Sequence, residues 1–188
     1  MSRWEPNARG RLAQAAMELY GERGFERTAV AEIARRAGLT ERTFFRHFAD
    51  KREVLFGGSD TLQDVFVAGV ADAPGAAPPM DAIAEALEAV TVLFEGRRDF
   101  ARQRHAIIVA TAELRERELI KLASLAAGTA GALRARGVPD PAASLAAEAG
   151  IAVFKVAFER WIADGEERGL PRLMRESLTE LKAVTAGA

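Results

Sequence analysis

The chain predicts an all-α fold in two parts. A small N-terminal three-helix head carries a helix-turn-helix, and a helical body follows, giving about nine helices in all. Three observations lead there. Apolar residues recur at helical spacing in one segment after another. Between residues 28 and 48 two short helical patterns flank Gly38-Leu39-Thr40. Two apolar helices close the chain, one of them apolar on two sides. With 188 residues, 49% of them hydrophobic, the chain can bury a substantial core.

Residues 1–8 read as a loose arm; Arg3 in it and Arg9 and Arg11 just beyond could approach a phosphate or the minor groove, with solvated charge the expected state. The first helix runs from about Asn7 to Arg23, with Leu12, Ala15, Ala16, Leu19 and Tyr20 on one stripe, and Gly24 ends it. Phe25 then plugs the head. The second helix begins at Thr28 as cap and carries Val30, Ile33, Ala34 and Ala37 on one side. Gly38 stops it. Thr40 caps the third helix, Glu41 suits its positive end, and Phe44 and Phe48, four apart, share the inward face. Arg42, Thr43, Arg46 and His47 are left on other faces. A turn of about three residues between two short helices is the helix-turn-helix pattern, whose second helix enters the major groove of DNA.

Asp50 caps a fourth helix with an apolar side from Val54 to Val70, interrupted by Gly57-Gly58. The Pro- and Gly-rich stretch 72–79 is a loop. Further helices are expected over about 81–96, 99–111 and 113–136. Gly137 to Pro141 makes a turn, with Asp140 as the next cap. The helix from Ser144 to Ala163 carries Ile151, Phe154, Phe158 and Trp161 on one face. Leu145, Ala149, Ala152 and Val156, mostly small, form the other. The last helix, 170–184, shows a single stripe of Leu170, Leu173, Met174, Leu178 and Leu181. Such a pair resembles half of a four-helix bundle completed by a second subunit, which makes these nine residues the expected dimer interface. Burial of both faces within one subunit is the alternative.

Composition narrows the function. There is no Cys and there are only two His, so disulfides and thiolate metal sites are excluded. No metal-ligand cluster, phosphate-binding glycine loop or nucleophile elbow is visible, so neither an enzyme, a metal nor a cofactor is expected. No apolar run near the roughly 18 residues of a membrane span and no signal peptide stand out. The expected compartment is the cytoplasm. Residues 1–56 hold 11 Lys or Arg against 8 Asp or Glu, whereas 57–188 hold 15 against 19. The small basic excess sits on the proposed DNA module.

Residues 9–56 resemble the DNA-binding domain of the TetR (tetracycline-repressor-like) family. The residues that carry the likeness are Arg11-Leu12, Ala15-Ala16, Leu19-Tyr20, Gly24-Phe25, Thr28, Val30, Ile33-Ala34, Ala37-Gly38, Thr43-Phe44-Phe45, His47-Phe48, Lys51 and Leu55. Phe45 departs from the pattern, which often has Tyr there. The resemblance implies a head over 1–50 and an effector-binding and dimerisation body over 51–188. It also implies a homodimer on a pseudo-palindromic operator, usually as a repressor. Thr28, Thr40, His47 and Lys51 become candidate phosphate contacts. Arg42, Thr43 and Arg46 become candidates for base edges, and Phe45 for an apolar contact such as a thymine methyl. For the body the resemblance implies a lipophilic small-molecule effector. Its candidate lining is Phe66, Leu87, Val90, Phe94, Phe100, His105, Ile108, Leu122, Phe154, Phe158 and Trp161, for each of which ordinary core packing is the competing account. A body that binds a protein partner or has no effector is the alternative.

Overall fold

The computed structural model describes residues 7–187. Among them are ten α-helices, one 3₁₀ turn and no strand. The head helices are α1 (Ala8–Arg23), α2 (Val30–Arg36), α3 (Glu41–His47) and α4 (Glu53–Phe56). Next come α5 (Ser59–Asp72), α6 (Pro79–Val90), the 3₁₀ turn Thr91–Phe94 and α7 (Arg98–Ala110). The chain closes with α8 (Ala112–Ala135), α9 (Asp140–Ile162) and α10 (Leu170–Ala186). The count exceeds the expected nine because the apolar pattern from Val54 to Val70 breaks at Gly57-Gly58 into two helices. The helix expected over 81–96 likewise stops at Val90 and tightens into the 3₁₀ turn.

Two compact units result. The first takes the chain up to Gly58 together with Gln103–Glu118, and the second takes Ser59–Arg102 with the chain from Leu119 onward. Where the sequence reading ended the head at residue 50, this unit also holds α4 and the segment 103–118. Residues 1–6 of the expected arm, with Arg3, lie outside the described residues; Asn7 caps α1, Ala8 begins it, and Arg9 donates to the Gly57 carbonyl at 3.0 Å.

In the first unit the turns are built as their residues demand. Gly24 has φ 85° and donates to the Tyr20 carbonyl at 3.0 Å, ending α1. Gly38, at φ 67°, donates to Arg35 while Leu39 donates to Ala34, a Schellman ending for α2. Leu12, Leu19, Ile33 and Phe44 are almost fully buried and form the centre. Phe56 is held differently. The guanidinium groups of Arg104 and Arg117 lie 5.2 and 5.8 Å from its ring centroid. Arg104 also donates to the Leu55 carbonyl (2.7 Å) and to Glu118 (2.8 Å), and Arg117 pairs with Glu53. Arg52 reaches Glu113 at 2.6 Å. These contacts tie 103–118 to α4 within the unit.

The second unit has one core, drawn from α5, α6, α8, α9 and α10, with Phe66, Ile83, Val90, Leu133, Ala157 and Leu173 fully or almost fully buried. Small residues let helices approach closely. A Cβ on Gly69 would stand 2.6 Å from Ala86 Cα, and one on Gly150 would stand 2.8 Å from a methyl of Ile83. Arg136 secures the loop 72–79 by donating to the carbonyls of Ala73 (2.7 Å) and Pro74 (2.6 Å). By length and composition α9 is apolar enough to cross a membrane, although charged residues interrupt its apolar sequence. In this fold its Ile151, Phe154, Ala157 and Trp161 are buried in the core.

Candidate nucleic-acid interface

Helix α3 has only seven residues, so its own hydrogen bonds cannot hold it. Its position comes from one side. Phe44 is 0% exposed and Phe48 5%, with their rings 5.4 Å apart. At its start, Thr40 Oγ1 accepts from the Thr43 amide at 3.2 Å and lies 3.0 Å from Thr43 Oγ1. That cap is the one the sequence predicts. Opposite the buried rings, Glu41, Arg42 and Arg46 are exposed, and Phe45 stands 55% exposed with its ring edge-on to Phe44. Among the described residues no carboxylate pairs with Arg42 or Arg46. Elsewhere in the head, Arg23, Arg36 and Arg52 are each bound to carboxylates at 2.5 to 2.9 Å. Arg42 and Arg46 thus put positive charge without a carboxylate partner among the described residues on the outer face of α3. His47 is partly buried and its Nε2 lacks a hydrogen-bond partner among the described residues.

Two expected phosphate contacts are placed otherwise. Thr28 is 2% exposed, and its hydroxyl donates to the Gly24 carbonyl at 2.9 Å, with Leu19 O at 3.4 Å. It does not cap α2. Ala29 occupies that position, and Glu32 reaches back to accept from the Ala29 amide at 3.1 Å. Lys51 has three donors, and all three find backbone carbonyls: Phe25 at 2.9 Å, Glu26 at 3.3 Å and Thr28 at 3.1 Å. Its ammonium also lies 4.3 Å from the Phe25 ring centroid. Tyr20 closes the arrangement by donating to the Lys51 carbonyl at 2.6 Å, and burial raises its hydroxyl pKa far above the usual phenol range. Lys51 thus staples the turn between α1 and α2. Lys51→Met should destabilise the protein by about 2–3 kcal/mol in chemical denaturation, since it leaves those carbonyls unanswered. It should leave the salt dependence of DNA binding unchanged, whereas loss of a true phosphate contact lowers the slope by about one.

The surface that remains is a short capped helix presenting an unpaired pair of arginines, a hydroxyl and an exposed aromatic ring. This is the form of a major-groove recognition helix. Residues 12–56 match the family model for bacterial regulatory proteins of the tetR family. Residues 77–186, more than half of the chain, match the MftR C-terminal domain. The chain belongs to the TetR family. It is a transcriptional regulator with a helix-turn-helix DNA-binding head.

Relatives place this TetR-family chain further. It is 37% identical to the HTH-type transcriptional regulator TcmR of Streptomyces glaucescens over 82 residues, 44% of this chain and 36% of that one. It is 35% identical to the HTH-type transcriptional activator FasR of Mycolicibacterium smegmatis over 65 residues, 35% and 30% of the two chains. The chain thus spans about a third of the length of these curated relatives. Solved structures match along nearly the whole length. The regulator FadR of Bacillus subtilis, in complex with stearoyl-CoA, superposes with a TM-score of 0.62 at 18% identity, covering 92% and 96% of the two chains. FadR of Thermus thermophilus, a TetR-family repressor in complex with lauroyl-CoA, gives 0.57 at 23%, covering 93% of each. At these identities the shared property is the fold.

In the TetR-family body the candidate effector residues separate. Phe66, Leu87, Val90, Phe154 and Trp161 are core residues, and Phe94, Leu122 and Phe158 pack against them half-buried. Phe94, Phe154, Phe158 and Trp161 form one aromatic cluster, with neighbouring centroids 5.6 to 6.1 Å apart. Phe100 sits under the Arg97 guanidinium at 5.4 Å. His105 and Ile108 belong to the head unit, not to this cluster. The interface candidates separate too. On α9, Leu145 is 71% and Val156 48% exposed, Ala152 is exposed and Ala149 half-buried. On α10, Leu170, Leu173, Met174 and Leu178 are buried in the subunit's own core, so the stripe assigned to a partner is already covered. Leu181 is half-buried at the end of that stripe. Sequence reasoning missed the Arg104, Arg117 and Phe56 assembly and the exposed pair Leu119 and Ile120 on α8. Cation–ring pairs separated by about half a hundred residues leave no local pattern to find.

Proposed function

We propose that this regulator binds a pseudo-palindromic operator as a homodimer in the cytoplasm and acts as a repressor that a lipophilic effector releases. The observation that carries the DNA reading is the outer face of α3, where Arg42, Phe45 and Arg46 are exposed and the two arginines have no carboxylate partner among the described residues. Arg42 and Arg46 serve base edges as bidentate donors, with Thr43 beside them, and Phe45 serves an apolar contact. Thr40 and His47 serve the phosphates from the two ends of α3. The small apolar face Leu145, Ala149, Ala152 and Val156 supports a dimer through α9, with half-sites about 34–36 Å apart.

The effector reading draws on the aromatic cluster of the body and on two structures of like fold that hold acyl-CoA. Thermodynamics then fixes its form. An effector that lowers operator affinity by some factor is itself bound more weakly, by that factor, in the operator complex. Calorimetry with and without operator reads this directly, and equal effector affinity in both would end the release mechanism.

Selection of bound sequences from random duplex DNA tests the whole reading. A two-fold symmetric site is expected. Arg42→Ala should lose about 1–3 kcal/mol of discrimination at one position of each half-site while keeping the fold. An unchanged sequence preference in the variant would remove Arg42 from base readout.

A further inference from the structure

Arg98 and Arg102, one turn apart on α7, do the same structural work on the end of α9. Arg98 Nε donates to the Trp161 carbonyl at 2.6 Å, and Arg102 Nε donates to the Ile162 carbonyl at 2.7 Å. The two then diverge. Arg102 uses its other nitrogens on the Ala163 carbonyl (3.4 Å) and on Asp164 (3.4 Å). Arg98 Nη2 is buried and has no hydrogen-bond partner among the described residues. A guanidinium cannot lose its proton, so this is a charged donor taken from water and left unanswered. It is also fixed in place, because the guanidinium lies 5.8 Å from the Trp161 ring centroid while its Nε is bonded to that residue's carbonyl.

Trp161 belongs to the aromatic cluster. Its ring is 6.0 Å from Phe94 and 5.9 Å from Phe158, and both phenylalanines are only half-buried. One unanswered guanidinium nitrogen therefore adjoins a lipophilic ring surface that keeps an open side. A neutral lipophile would cover the rings and leave Nη2 as it is. A lipophile ending in a planar or tetrahedral oxyanion would satisfy both, since guanidinium N–H groups match carboxylate and phosphate oxygens.

We propose that Arg98 anchors the oxyanion head of an amphipathic effector whose apolar part lies on Phe94, Phe158 and Trp161. The proposal rests on the body being an effector domain and narrows the effector to an anionic amphiphile, a carboxylate or a phosphate.

The test uses the full chain carrying Trp4→Phe, which leaves Trp161 as the only indole of two in the sequence. Dodecanoate, dodecyl phosphate and dodecanol are titrated separately below their micellar concentrations while Trp161 emission is followed. Both anions, or one of them, should bind at least tenfold tighter than dodecanol, and the two anionic arms tell carboxylate from phosphate. Arg98→Met should abolish the preference, bringing the three probes to similar affinity. Arg98→Lys, which keeps the charge without the fork, should retain part of it and serves if the methionine variant does not fold. Equal affinity of wild type for all three probes, or an undiminished preference in Arg98→Met, overturns the anchor and leaves a lipophilic effector standing. Failure of both anions to bind overturns the anchor as well, and the effector reading is then judged by dodecanol alone.

Discussion

A double substitution, Leu145→Glu with Val156→Glu, should convert the protein to a folded monomer that no longer holds its operator specifically. Residues 145, 149, 152 and 156 follow helical spacing, so they line one face of α9. Leu145 and Val156 are 71% and 48% exposed in the isolated subunit. In a two-fold dimer each change occurs twice and faces its own image or a near neighbour, so four carboxylates enter one apolar patch. Each lost apolar contact costs on the order of 1.5–3 kcal/mol, and burial of an unpaired charge adds to it. Dimer affinity should fall by three orders of magnitude or more, read by sedimentation at micromolar concentration. Operator affinity should fall toward the non-specific range of about 10⁻⁴–10⁻⁶ M. Helix content should stay unchanged, because neither side chain supports the subunit core. The α10 residues provide the contrast. Leu173→Glu places a charge at a site 0% exposed and should unfold the body instead of splitting a dimer. A double variant that sediments as a dimer with native operator affinity would remove α9 from the interface.

The head was legible where the signal is local. Thr40, Gly38 and the Phe44–Phe48 spacing act over three to five residues, and α3 stands where they put it. The intrachain partners of Thr28 and Lys51 were not legible because they lie elsewhere in the chain. A Lys close after a recognition helix reads the same whether its ammonium meets phosphate or the carbonyls of residues 25, 26 and 28. Here the carbonyls hold it, 23 to 26 residues away. The last helix shows a second limit. An apolar stripe states that a face is covered and says nothing of what covers it, and here α9 and α6 receive α10. Gly57-Gly58 shows a third. Apolar spacing runs through the pair unbroken, while the backbone leaves the helix there. Segment 103–118 could not be placed in the head at all, because its ties, Arg104 to Leu55 and Arg117 to Glu53, join residues 49 and 64 apart.

Phe44→Ala should be the most damaging single change for DNA binding, although Phe44 touches no DNA. Its ring is 0% exposed and packs on Phe48 at 5.4 Å and on Phe45 at 5.5 Å. Removing a buried phenylalanine costs about 3–5 kcal/mol, a large part of the 5–15 kcal/mol that typically holds a domain. The loss falls on a seven-residue helix that isolated chain physics would not keep folded. Chemical denaturation should show the destabilisation, and operator affinity should fall with it because Arg42 and Arg46 lose their fixed platform. Phe44→Leu should recover most of both, since it keeps a buried apolar side chain. Phe45→Ala, one residue on and 55% exposed, should instead leave stability within about 0.5 kcal/mol while weakening the operator complex. The opposite responses of two adjacent phenylalanines separate the support of the recognition helix from its working face. If Phe44→Ala kept native stability and native operator affinity, α3 would not be held by the ring beneath it, and the placing of its arginines would need another cause.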